Sequence, residues 1–145
     1  MKKTLLILSA FVGTFTMAQD CSELFISEYV EGVSNNKALE IYNPTGADID
    51  LSQYIVIRYS NGSTSATPAN AVALVGMIPS KAVHVAVLEK LDPAGTGQEA
   101  PIWDSLQARA DAFYCPEYNT SNAFYWNGND AVALAKGSIG DINNA

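Results

Sequence analysis

Punctuation constrains this chain more than any other feature. Short runs rich in β-branched and aromatic residues are cut, about every 8 to 15 residues, by turn signals built from Gly, Asn, Ser and Pro. Leu24 to Val30 is the first such run, and the loop Glu31 to Lys37 ends it. Ala38 to Tyr42 alternates with Leu39 and Ile41 on one face, and Asn43-Pro44-Thr45-Gly46 turns the chain. Ile49 and Leu51, Tyr54 to Tyr59, Ala71 to Val75 and Ala82 to Leu88 continue the series. Ala123 to Trp126 and Ala131 to Ala135 flank Asn127-Gly128-Asn129-Asp130, which predicts a closing hairpin. One stretch, Ile102 to Ala112, has helical spacing. Seven or so short strands with a single covering segment predict an all-β antiparallel β-sandwich. No fixed-period repeat is present, which excludes a solenoid or propeller.

The N-terminus carries a different signal. Lys2 and Lys3 precede an apolar stretch from Leu5 to Val12, and Thr16-Met17-Ala18 offers small residues for cleavage. Residues 1–18 therefore read as a signal peptide, with Gln19 as the new N-terminus and residues 19–145 as one domain. The apolar stretch is too short for a membrane span, so the product is expected outside the cytoplasm, secreted or at the cell surface. The full chain has a net charge of −7, and loss of the two leader lysines leaves −9. Such a charge repels phosphate backbones unless the few cations cluster, and the sequence shows no cluster. Nucleic acid is thus not an expected partner, whereas a protein or a cell-surface glycan is.

Export also bears on Cys21 and Cys115, the only two cysteines, which are expected to pair. Such a bridge would close a long loop and stabilise the fold by about 4–5 kcal/mol. Two separate buried thiols are the other reading. Neither cysteine has the spacing or histidine company of a metal or redox site.

Three stretches carry a family resemblance: Phe25 to Gly32 (FISEYVEG), Ser34 to Asn43 (SNNKALEIYN) and Ile49 to Tyr54 (IDLSQY). With Asn127 to Leu134 (NGNDAVAL), they resemble the bacterial lamin-tail domain family from about Leu24 to the end. The resemblance implies an exported immunoglobulin-like module, often set beside secreted nuclease or phosphoesterase domains. Residues 89–122 read as a longer insertion than the family pattern, and no closing strand follows Asp141. The chain is therefore expected to be the front portion of a longer protein.

Chemistry-bearing residues are sparse. His84 is the only histidine and is placed opposite its valine neighbours, as an exposed or rim side chain. No nucleophile or orienting carboxylate can be assigned to it, and no GxSxG, HExxH or phosphate-loop pattern occurs. No catalytic residue is expected in this chain. Glu28, Glu31 and Glu40 surround a loop whose Asn36 adds an amide oxygen, the oxygen-rich chemistry that Ca²⁺ favours. The competing reading is a solvated strand face with turn residues bonded to their own backbone. Among the aromatics, Tyr114 and Tyr118 are the pair expected to be exposed for a sugar or peptide ligand, while most of the others are expected in the core. Two functions follow. One is a non-catalytic exported module for binding, tethering or structural support within a longer secreted protein. The other is an accessory domain of a secreted nuclease or phosphoesterase whose catalytic domain lies outside this chain.

Overall fold

The computed structural model describes residues 22–143. Among these residues, nine strands run in chain order: β1 (Phe25–Glu31), β2 (Lys37–Tyr42), β3 (Ile49–Asp50), β4 (Tyr54–Tyr59), β5 (Ala71–Ala73), β6 (Met77–Ile78), β7 (Val83–Leu88), β8 (Ala112–Tyr114) and β9 (Ala131–Lys136). One sheet has the order β1-β2-β7-β8 and faces a second, β5-β4-β9, with a two-stranded piece made by β3 and β6. The expected immunoglobulin-like β-sandwich is the fold.

Alternation within the strands explains how the layers are filled. Leu39 and Ile41 of β2, Ala86 and Leu88 of β7, and Tyr54 and Val56 of β4 point between the sheets. The opposite faces are also covered. Ile55 and Ile57 of β4 pack outward against Ala66, Ala71 and Ile142. Ala38 and Val87 pack outward against Ile102, with Leu106, Ala110 and Phe113 alongside. A strand buried on both faces reads as a continuous apolar run, which is why Tyr54 to Ile57 shows so little polarity.

The segment expected to form the first arm of the late hairpin is not a strand. Ala123, Phe124 and Trp126 are fully buried, yet their backbone bends through turns and fills the space between the sheets. The Asn127–Asp130 turn does form, closed by the Asp130 N–H donating to the Asn127 carbonyl (2.9 Å). Its outgoing arm, β9, pairs with β4 rather than folding back on the incoming residues. Three ring contacts explain the choice: Phe124 lies 5.5 Å from Tyr114 and 5.1 Å from Trp126, which in turn stacks on Tyr29 at 5.2 Å. Aromatic side chains bury large apolar areas and gain further from ring–ring contact.

The helical stretch is shorter than its periodicity predicts. Only α1 (Asp104–Gln107) is helical, and the residues after it straighten into β8. β8 runs parallel to β7, the one departure from antiparallel pairing. The 89–122 insertion thus adds both an outer layer and an extra strand. Cys115 is buried, with its Sγ 3.2 Å from the Ser121 hydroxyl, and burial pushes its thiol pKa up. Cys21, its expected partner, lies outside the described residues, as does the leader.

Candidate binding site

The end of the sandwich where β1 hands over to β2 holds an open cleft of about 460 Å³. Lys37 opens β2 on the same face as Leu39 and Ile41, so its position in the alternation is inward. Arg58 lies near the end of β4 on the face of Tyr54 and Val56, inward again but from the opposing sheet. Both cations line the cleft, and both are buried, Lys37 at 7% and Arg58 at 5% exposure. Lysine and arginine are almost never this buried unless paired.

Their pairing is incomplete in different ways. The Arg58 Nη1 donates to the Tyr125 carbonyl (2.6 Å), and Nη2 donates to Asn122 Oδ1 (2.7 Å). Asp130 Oδ2 stands 3.4 Å from Nη1, and its side chain is almost wholly covered. The Arg58 Nε, buried as well, has no hydrogen-bond partner among the described residues. Lys37 Nζ donates to the Gly32 carbonyl (2.6 Å) and forms no ion pair among the described residues. Burial pushes its ammonium below the ordinary lysine value, against the opposing field of Glu31.

Two loops build the walls. Asn35 Nδ2 donates to the carbonyls of Gln98 (2.9 Å) and Ala100 (2.7 Å), tying the β1–β2 loop to the 97–100 turn. Asn36 continues the seam, accepting from the Trp103 N–H at 2.7 Å. On the far side, Tyr118 packs edge-on against Tyr125 at 4.9 Å and remains 36% exposed. Ser34, Gln98 and Asn127 are exposed at the rim, so a hydroxyl and two amides border the cations. Among the described residues, no aspartate or glutamate lines the cleft. A second hollow of equal volume, around Val75, Met77, Val83 and His84, has Asp111 in its wall and neither lysine nor arginine.

The residues singled out from sequence fall differently. Tyr118 is at the cleft, but Tyr114 is only 4% exposed and packs in the core. The reason is its place on β8, where the inward face meets Phe124 and the hydroxyl receives the Val75 N–H (3.2 Å). His84 is likewise buried, at 5%, and not at a rim. Alternation does set it opposite Val83 and Val85; those valines face outward, and the Tyr114 hydroxyl at 3.2 Å makes an inward imidazole tolerable.

Glu28, Glu31, Asn36 and Glu40 are not brought to one point. Glu28 and Glu40 sit opposite each other in the β1–β2 register and share a face, with the Ser27 hydroxyl donating to Glu40 (2.7 Å). Glu31, three positions on from Glu28, faces the other way and accepts from the Gly128 N–H (2.7 Å) and the Tyr29 hydroxyl (3.0 Å). The Asn36 oxygen is taken by Trp103. Among the described residues, no group of three or more His, Cys, Asp or Glu side chains is placed to hold a metal ion.

Lys37 and Arg58, 21 positions apart in the chain, are what sequence reading missed. The signal was present: each is a cation at an inward position of an alternating strand, next to the strand's end.

No curated protein and no solved structure matches the chain. A family model, the Lamin Tail Domain, matches residues 18–143, which takes in both strands that carry the cations and the turn that carries Asp130. The chain belongs to the lamin tail domain family.

Proposed function

We propose that this chain is a non-catalytic exported module that binds a partner outside the cytoplasm through the cleft at the end of its sandwich. One observation carries the reading: two buried cations, one from each sheet, meet an open cleft whose walls, among the described residues, hold no carboxylate. Burying a charge is costly unless something compensates it, and in a structural ion pair the compensation comes from within the protein. Lys37 has only one backbone carbonyl for this, which leaves its remaining N–H groups for a ligand. The membership in a family of immunoglobulin-like modules supports the absence of catalysis, and the leader at residues 1–18 supports export. Catalysis by the lone histidine is disfavoured by its surroundings, because His84 is buried against a tyrosine at the other end of β7 from the cleft.

The test is a melting-temperature screen against soluble acidic oligosaccharides, neutral oligosaccharides and short peptides. Chromogenic phosphodiester and glycoside substrates are assayed alongside. The expected result is a ligand-dependent rise for one class, lost in Tyr118→Ala, with no turnover of any substrate. Turnover, or a screen in which nothing shifts the melting temperature, overturns the reading.

A further inference from the structure

Resting on that reading, we propose that the cleft is a subsite for a sugar acid, with Lys37 and Arg58 holding its carboxylate and Tyr118 supporting its ring. The donor inventory sets the charge of the ligand. Among the described residues, two of the three Lys37 N–H groups have no protein acceptor, and Arg58 Nη2 has a second N–H beyond the one it gives to Asn122, while Nη1 is shared by the Tyr125 carbonyl and Asp130. Three donors suit the two oxygens of one carboxylate. A phosphate dianion brings more acceptors and a second negative charge, and the Asp130 carboxylate beside Arg58 already offsets part of the positive field.

The rim sets the rest of the ligand. Tyr118 is held edge-on to Tyr125, so its ring has a fixed orientation and an exposed surface. Aromatic rings with one covered and one open side suit a flat-faced, partly apolar body such as a pyranose. Ser34, Gln98 and Asn127 offer a hydroxyl and two amides, which donate and accept alike and so suit sugar hydroxyls. An extended peptide would take its affinity from a free strand edge, and the strands that supply the cations are interior ones: β2 lies between β1 and β7, and β4 between β5 and β9.

The experiment is calorimetric titration of the folded protein with a galacturonate trimer, the same trimer as its methyl ester, and a peptide with a free C-terminal carboxylate. The acid is expected to bind about tenfold or more tightly than the ester, since a charge-assisted hydrogen bond is lost with the charge. Lys37→Met is expected to weaken the acid by about the same factor and the ester by clearly less, with melting no lower than wild type because a buried charge has been removed. The ester comparison needs no variant and stands if Lys37→Met fails to fold. Equal binding of acid and ester, weakened by Tyr118→Ala, overturns the carboxylate assignment and leaves the binding-module reading intact. Tighter binding of the peptide than of the trimer overturns the sugar assignment. Binding of none of the three overturns this inference, and the broader screen then decides the module reading separately.

Discussion

Asp130 shows how much one carboxylate can organise. Its Oδ1 accepts from the Asn61 N–H (2.7 Å), its Oδ2 accepts from the Asn127 N–H (3.1 Å), and the same oxygen faces Arg58. Asp130→Ala leaves a buried guanidinium without its counter-charge and two amides without acceptors. The expected cost is about 3 kcal/mol or more, measured by urea unfolding. His84 makes a separate prediction. Burial lowers its pKa from 6.5, opposed by Asp111, while burial raises the Tyr114 hydroxyl so that it stays protonated beside the ring. Below pH 6.5 the unfolded chain takes up a proton that the folded chain refuses, so stability falls as pH drops through that value. The slope is at most about 1.4 kcal/mol per pH unit. Glu23, Glu31, Asp50 and Asp141, whose hydrogen bonds lower their pKa values, lose stability only below the ordinary carboxylate range, so the windows are distinct. Melting of His84→Gln between pH 7.5 and 5 is expected to be flatter than wild type.

Among elements, those with a strict period and a clear stop were readable from the residues. β2, β4 and β7 fall within one residue of their expected bounds because alternation and turn chemistry agree there. Ala123 to Trp126 has the same composition and is not a strand, because local propensity cannot see that Tyr114, Tyr29 and Val30 wait on three sides; the Trp126 Nε1–H donates to the Val30 carbonyl at 3.1 Å. The cleft was hidden for a related reason. Its two cations are placed by the packing of two sheets, and neither residue reveals the other along the chain. The 97–100 turn beside the cleft depends on a glycine that precedes it. A Cβ on Gly95 would fall 1.9 Å from the Glu99 carbonyl oxygen, inside the turn that Asn35 grips. Gly95→Ala is expected to cost about 1–3 kcal/mol. It should also speed amide exchange at Glu99 and Ala100, whose N–H groups donate within that turn, while amides of β2 and β7 keep their protection.

The whole molecule is three apolar layers thick: a central core between the sheets, and an outer layer on each sheet. The outer layers come from loops and the long insertion, which composition indicated only as 48% hydrophobic content in a chain with few helices. They are expected to be the weaker layers. Ile102→Ala, in the outer layer on β2 and β7, should cost less than Ile41→Ala in the central core, where about 2–5 kcal/mol is expected. Paired urea unfolding curves check the order. Export is tested on the same scale: protein recovered from outside the cell should begin at Gln19.

The two cations at the cleft belong to opposite sheets, and this has a mechanical consequence. A ligand touching both would fasten β2 to β4, strands of different sheets. Force applied along the chain separates such sheets by shear, and a bound acid would act as a rivet against it. On the proposed function, grip and toughness would become one property: the domain would be hardest to pull apart while its ligand is bound.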